Sequence, residues 1–264
     1  MIINRTNIEI LKAEFKNNKS IVFIHGFPFD LFIWKRVISF LKDNFYCISY
    51  NVRGVGKSKA GSGQFTMEMF VDDLEAIIEK LKLDKPVICG LSMGGYISLR
   101  AVERFENKLG GLILCDTKSE ADPNAAKLKR AEGIKRINLG DRENFVVEFV
   151  KNCISEEFIR KNEKEFKEVL SHSLKINPVA LKGCLLAMAG RTDTTEYLSK
   201  INIPVLVLCG ENDTLAPSSS MKKMAGKIKN SDFAIIPNSG HVTSVENPEF
   251  VAEKIRSFLL NHFN

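Results

Sequence analysis

The chain has 264 residues, of which 44% are hydrophobic and 27% charged. Those are the proportions of an ordinary soluble protein with enough apolar material for its own core, and they exclude disordered, collagen-like and small disulfide-framework classes. Thirty-eight Lys+Arg against 32 Asp+Glu leave a net charge of +6, with no run of five or six like charges, so charge gives no reason to expect nucleic acid as a partner.

The opening MIINRTNIEI lacks a basic stretch followed by an apolar one, which a secretory signal would need. No segment reaches 18 uninterrupted apolar residues, so neither a membrane span nor a membrane partner is expected. The six cysteines, Cys47, Cys89, Cys115, Cys153, Cys184 and Cys209, form no C-x-x-C pair, and four of them sit within short apolar runs as small hydrophobes. That usage implies a reducing, cytoplasmic compartment.

In chain order, the first 18 residues are consistent with a short hairpin. Short apolar runs then follow at Ser20–Gly26, Phe45–Tyr50, Pro86–Gly90, Gly111–Asp116, Ile203–Gly210 and Asp232–Pro237. Bounded by Gly, Pro and Asp, they predict strands buried on both faces. Helical character at Thr66–Leu81 and Met93–Phe105 alternates with them, which predicts a parallel sheet covered on both sides. The alternation stops after Asp116. Leu128–Ile137, Glu143–Val150, Glu156–Leu170 and Pro178–Met188 all read as helices before strands resume at Ile203. This helical insertion carries 16 basic and 13 acidic residues, half of the chain's surplus. A last helix starts at Asn247-Pro248, with Pro suited to a first turn, and places Phe250, Val251, Ile255, Phe258 and Leu259 on one face.

The strongest chemical signal is Gly90-Leu91-Ser92-Met93-Gly94, a G-x-S-x-G between a predicted strand and a predicted helix. The bare pattern arises by chance in roughly one chain in ten of this length at average glycine usage, so the strand–turn–helix context carries the weight. The chain must reverse within a residue or two there. Gly90 and Gly94 remove Cβ atoms that would clash, and the serine is forced into a strained conformation at a helix N-terminus, where free N–H groups favour negative charge.

A serine hydroxyl needs an adjacent base. Of His25, His172, His241 and His262, His241 lies in a Gly-flanked loop between the last predicted strand and the last helix, where an open α/β sheet places its chemistry. His172 reads as structural, and His262 as a solvated residue near the chain end. The base in turn needs an acid. Asp213, on the turn-rich loop after Val205–Cys209, is favoured because its loop lies between the nucleophile's half and the histidine; Asp116, at the end of the strand before the insertion, is the alternative. A tetrahedral intermediate needs two donors for its oxyanion. Met93 N–H supplies one, and Phe27 N–H in His25-Gly26-Phe27-Pro28 the other, with Gly26 allowing close approach and His25 pinning the loop. Gly54-Val55-Gly56-Lys57-Ser58 imitates the end of a P-loop. That motif requires a glycine where Asn51 stands, so it is read as a turn around Arg53 and Gly54.

HGFP, NVRGVGKS, GLSMGG, GENDTLAP and SGHVTSVENPEF, in this order, resemble the α/β-hydrolase superfamily over Ile21 to Phe258. Gly111–Asp122 and Leu185–Asp193 are similar to small bacterial carboxylesterases and 3-oxoadipate enol-lactonase-like hydrolases. The resemblance implies an α/β-hydrolase fold with a mostly parallel sheet flanked by helices and a helical cap inserted after the sixth strand. Residues 1–116 and 201–264 form the core and 117–200 the cap. It implies Ser92 as nucleophile, Asp213 as acid, His241 as base, Phe27 and Met93 as oxyanion donors, and neither cofactor nor metal. One departure is Asn51, where the family commonly has Asp; it leaves a charge contact with Arg53 in question.

The expected reaction is hydrolysis of a small-molecule ester or lactone through an acyl-enzyme, with Phe145, Phe149, Leu185, Leu186 and Met188 as candidate walls of a pocket for small to medium acyl groups. Enol-lactone opening, perhydrolysis or haloperoxidation, thioester cleavage and C–C hydrolysis use the same constellation, and fold analogy does not choose among them. A slow-turnover small-molecule sensor is the reading from another class. A homodimer is left open.

Overall fold

A computed structural model describes residues 1–13 and 19–263. Among these, the strands are β1 (Ile2–Ile3), β2 (Thr6–Asn7), β3 (Ile10–Ala13), β4 (Ser20–Ile24), β5 (Tyr46–Tyr50), β6 (Val87–Leu91), β7 (Gly111–Cys115), β8 (Val205–Gly210) and β9 (Ser231–Ile236). The α-helices are α1 (Lys35–Leu41), α2 (Met67–Lys80), α3 (Met93–Phe105), α4 (Asn124–Asn138), α5 (Arg142–Cys153), α6 (Glu156–Lys161), α7 (Glu163–Leu174), α8 (Pro178–Ala189), α9 (Ser218–Ala225), α10 (Thr243–Glu246) and α11 (Pro248–His262). None is long and apolar enough to cross a membrane.

β3 through β9 build one sheet in the order β3-β5-β4-β6-β7-β8-β9. Only β3 runs antiparallel to its neighbour. The α/β sheet predicted from the alternating pattern is therefore present, and β4, β6, β7 and β8 are buried along their whole length, as continuous apolar runs require. β9 departs from that expectation. It is an edge strand with only Ile236 fully buried and Ile235 46% exposed.

From β4 the chain steps one way across the sheet to β5, then the other way to β6. Right-handed crossovers therefore put α1 and α2 on opposite faces. α3 packs on α2, and α11 on α1. The reversal makes a crevice at the C-terminal ends of β4 and β6, the position where open α/β sheets bind ligands. Phe27 and Ser92 follow those two strands.

The N-terminal hairpin exists as β1 and β2, paired Ile2 with Asn7 and Ile3 with Thr6. Asn4 and Arg5 take φ of 44° and 63° at its tip, the left-handed pair that a two-residue hairpin turn needs. Residues 14–18, the end of that predicted segment, lie outside the described residues. Because β3 adds a third strand, the helical insertion follows the seventh strand in chain order and not the sixth. The predicted helix Glu156–Leu170 is also divided, into α6 and α7, at Asn162 (φ −129°, ψ 49°). Its side-chain amide donates to Phe158 O at 3.4 Å, the local competition that makes Asn a poor helix-interior residue.

The turn after β5 is structural, as predicted. Arg53 meets Asp73 of α2 in a buried two-pronged pair, Nε–Oδ2 at 2.5 Å and Nη2–Oδ1 at 2.7 Å. Asn51 makes no charge contact with Arg53. Its amide donates to Glu9 Oε2 at 2.7 Å and its oxygen accepts from Leu31 N–H at 2.7 Å. The arginine's carboxylate partner comes from another element, which resolves the departure noted at position 51.

Candidate active site

β6 delivers Ser92 onto a reversal that runs straight into α3. The residue has φ 53° and ψ −112°, a left-handed conformation that a non-glycine residue adopts only under constraint. Two glycines make the reversal fit. A Cβ on Gly90 would lie 2.2 Å from Gly94 O, and one on Gly94 would lie 2.2 Å from Ile24 O. The elbow is held by Ser92 N–H donating to Cys115 O at 2.9 Å and by the Thr117 hydroxyl donating to Ser92 O at 2.8 Å. Thr117 was not singled out in the sequence; nothing local marks it, because β7 becomes the neighbour of β6 only in the fold.

Ser92, His241 and Asp213 come together. Ser92 Oγ lies 2.8 Å from His241 Nε2, and His241 Nδ1 lies 2.8 Å from Asp213 Oδ2. All three are buried. Asp213 Oδ1 accepts from the N–H groups of Leu215 (2.8 Å) and Ala216 (2.9 Å), so both carboxylate oxygens are engaged. Burial pushes the Asp213 carboxyl up; the His241 ring and these two N–H donors outweigh it and hold it below the usual carboxylate range. With Asp213 ionised, the Nδ1 proton is held toward it and Nε2 is left to accept from the serine.

The histidine loop is anchored from outside the sheet. His241 N–H donates to Cys153 O at 2.8 Å. Glu246 accepts at Oε2 from Gly240 N–H and from Ser155 N–H, both at 2.9 Å. One carboxylate thus ties the histidine loop to the insertion. Sequence reasoning missed Glu246, since its partners sit on elements far apart in the chain.

Asp116, the alternative acid, makes no hydrogen bond to His241 among the described residues. Its Oδ1 accepts from Gly210 N–H (2.8 Å) and its Oδ2 from the Thr243 hydroxyl (2.6 Å). It stitches the end of β7 to β8 and α10. Burial drives its pKa well above the usual carboxylate range and the Asp213 charge adds to this; the Thr243 and Gly210 donors oppose them without winning. Asp116, Cys209 and Asp213 offer atoms within 4.8 Å of one another. The Cys209 thiol, however, donates to Gly210 O and Ala216 O, and burial pushes its pKa up. It is poorly suited to the thiolate state a metal requires.

The raised pKa has a measurable consequence. From its ordinary value of 3.8 upward, the folded chain keeps a proton on Asp116 that the unfolded chain has released. By linkage, this group's contribution to stability falls as pH rises through that window. In Asp116→Asn, the urea midpoint relative to the parent is expected to climb from pH 4 to pH 7. Parallel midpoint curves would contradict the assignment.

Phe27 N–H and Met93 N–H, the predicted oxyanion donors, have no acceptor among the described residues. The loop that carries Phe27 is set by His25, which is fully buried. Val52 N–H donates to its Nε2 at 3.1 Å, and its Nδ1 lies 2.9 Å from Gly26 O. Nε2 therefore accepts and Nδ1 carries the proton. Burial lowers the ring's pKa, which keeps it neutral in that tautomer. A Cβ on Gly26 would come within 2.8 Å of Leu91 and 3.1 Å of Ser92 Cβ, so glycine there permits the close approach of the two loops. His172 lies on α7, 2.8 Å from Asp30 Oδ2, and His262 lies near Asp232; neither belongs to this cluster.

Ser92 and His241 open into a cavity of about 350 Å³, within the size range of small-ligand sites. Its apolar wall is Phe27, Phe145, Phe149, Leu185, Met188 and Leu215. Four of the five residues expected from the insertion are present. Leu186 is not; it is 49% exposed, because one residue along α8 from Leu185 turns by about 100° while Met188 returns to the same face. The polar lining is Tyr96, Asn152, Lys118, Lys129 and Arg130, none of which the sequence singled out.

Comparison with known proteins agrees with this fold. The sequence profile of the α/β-hydrolase fold matches residues 19–248. A putative non-heme chloroperoxidase of Synechocystis sp. is 27% identical over 98% of this chain and 96% of its own. The enol-lactonase 3-oxoadipate enol-lactonase 2 of Acinetobacter baylyi is 23% identical over 93% of this chain and 90% of its own. Among solved structures, a thermophilic esterase from Thermogutta terrifontis with malate bound is 31% identical. It superposes with a TM-score of 0.93 over 97% of this chain and 94% of that one.

Proposed function

The chain belongs to the α/β-hydrolase family, and on that footing we propose that it is a serine hydrolase of carboxylic esters or lactones with small to medium acyl groups. The observation that carries this reading is the continuous line from Ser92 Oγ through His241 to Asp213, with both links at 2.8 Å, opening onto a largely apolar cavity.

In this mechanism Ser92 Oγ attacks the ester carbonyl carbon as its proton passes to His241 Nε2. Asp213 stabilises the imidazolium, and the Phe27 and Met93 N–H groups receive the oxyanion. The bond to the leaving oxygen then breaks as His241 returns the proton to it. Water, deprotonated by the same imidazole, attacks the acyl-enzyme; the acid leaves and the proton returns to Ser92. A lactone follows the same course, its alcohol staying attached to the acyl chain. Residues 117–200 serve as a cap over the 1–116 and 201–264 core, supported by the cavity walls that α4, α5 and α8 contribute.

The test is exposure of the purified protein to a fluorophosphonate probe and, separately, to 4-nitrophenyl acetate and butyrate. A single adduct on Ser92 with nitrophenol release is the expected result. Absence of both overturns the reading, and an adduct without turnover favours a sensor.

A further inference from the structure

The lining of the cavity carries charge of one sign. Lys118, Lys129 and Arg130 line it, and among the described residues no Asp or Glu does. The buried acid beside them, Asp122, is already committed. Asp122 pairs through Oδ1 with Arg191 at 2.7 Å and through Oδ2 with Arg130 at 3.1 Å, so one carboxylate is shared by two guanidiniums. Arg191 is further occupied by the Tyr96 ring, 4.0 Å away. Lys118 is half-buried and has no ion-pair partner within 4.0 Å among the described residues; it feels Asp122 and Glu120 only at longer range.

Lys118 is also placed by the reaction machinery. It follows Thr117, whose hydroxyl is fixed on the Ser92 carbonyl and whose side chain packs where a Cβ on Gly95 would stand. Lys118 therefore lines the same cavity as the serine from a neighbouring, rigid position. A lysine held half out of water beside two arginines is costly without an anion. Burial lowers its pKa first, and the Arg191 and Arg130 charges lower it further against the pull of Asp122 and Glu120.

We propose that the substrate of this cavity is an ester or lactone that itself carries a carboxylate, held by Lys118 with Arg130 while Ser92 faces the ester carbonyl. The proposal rests on the ester-hydrolase reading of the same site and adds to it the charge of the substrate. Arg130 supplies a second donor set from α4, and Lys129 on the rim adds attraction that salt should screen. The apolar wall then houses the chain between the carboxylate and the reacting carbonyl.

The experiment compares mono-4-nitrophenyl glutarate with 4-nitrophenyl butyrate, and 4-carboxyphenyl butyrate with phenyl butyrate. The two pairs place the carboxylate on the acyl side or on the alcohol side. In one of them the anionic ester is expected to have the higher kcat/KM at low ionic strength, by about ten- to a hundredfold, as a hydrogen bond to a charged group supports. Lys118→Met should cut that ratio about tenfold, Lys118→Arg should largely keep it, and added salt should shrink it. The ratio is taken within one protein, so loss of folded material cancels. Calorimetric titration of Ser92→Ala with the same esters, with and without Lys118→Met, reads binding without turnover. If no ester is hydrolysed yet the anionic ester binds through Lys118, the hydrolase reading falls and the anion subsite stands. Neutral esters preferred in both pairs, or a ratio and binding unchanged in Lys118→Met, would overturn the subsite.

Discussion

Turnover of 4-nitrophenyl butyrate is expected to fall by about a millionfold in Ser92→Ala and by about ten-thousandfold in Asp213→Asn, with the double variant no worse than Ser92→Ala alone. In the proposed mechanism the three side chains act as one proton path, so removing the first member leaves the others nothing to do. The residual rate over water then comes from the Phe27 and Met93 donors and from binding. Asp213→Asn is the more informative change. An asparagine oxygen can still accept from Leu215 and Ala216 N–H, as Asp213 Oδ1 does now, so the loop has no reason to move. Its amide would instead donate to His241 Nδ1, which drives the ring proton to Nε2 and leaves nothing to take the serine proton. Because Asp213 is held below the usual carboxylate range, its own titration should not limit the rate near neutral pH. Asp116→Asn is the matched comparison. It removes a buried carboxyl within 4.8 Å of the same acid but none that touches the histidine, so its rate should stay within about tenfold of the parent, well short of a lost triad acid. Steady-state kinetics on the four variants beside the parent decides the matter. A large loss in Asp116→Asn with little in Asp213→Asn would reassign the acid.

What could be read from the residues follows the range over which each feature is encoded. The strands buried on both faces and the serine elbow are local. β6, the reversal at Ser92 and α3 occupy consecutive positions 87–105, so composition and glycine placement speak for them directly. The order serine, acid, histidine is a chain property and needs no coordinates. Edge status is different. Asp232–Pro237 looks as apolar as the central runs, yet β9 has a neighbour on one side only, and no residue within it records that. Leu186 failed as a cavity wall because helix phase decides exposure, and an almost wholly apolar α8 hides its phase from the eye. The count of strands before the insertion failed because β3 is only four residues long, too short to show a period. The charged lining was invisible for a stronger reason. Lys118 comes from the end of β7 and Arg130 from α4, and neither sits in a motif; only the fold makes them neighbours of Ser92. The closeness of Asp116 to Asp213 likewise exists because β7 and β8 run side by side.

The second large effect concerns the backbone that makes the elbow possible. Gly94→Ala is expected to destabilise the protein by about 3 kcal/mol or more, the upper end of overpacking penalties. Its Cβ would sit 2.2 Å from Ile24 O, 2.8 Å from Ile24 C and 2.9 Å from His25 O. These are main-chain atoms at the end of β4, which is hydrogen-bonded on both sides to β5 and β6, so no side-chain rotamer relieves the contact; a strand or a helix must shift. Gly140→Ala separates this effect from backbone strain. Gly140 has φ 91° and nothing within 4 Å of its would-be Cβ, so alanine there carries only the cost of a left-handed residue, about 1–2 kcal/mol. For a chain of this size the Gly94 variant should melt roughly 6–12 °C below the parent, from about 2–4 °C per kcal/mol. The shift also reaches the chemistry. Ile24 and His25 lead directly into Phe27, and a displacement of about 1 Å at a reacting centre costs on the order of a hundredfold in rate. Protein that remains folded below its lowered melting point should therefore lose kcat beyond what its folded fraction explains, while Gly140→Ala should keep it. Thermal unfolding followed by circular dichroism, with kinetics at 15 °C beside it, measures both. A Gly94→Ala protein that melts within 2 °C of the parent and turns over normally would mean that α3 can slide along β4, and that the elbow is held by something other than the close contact between glycine and strand.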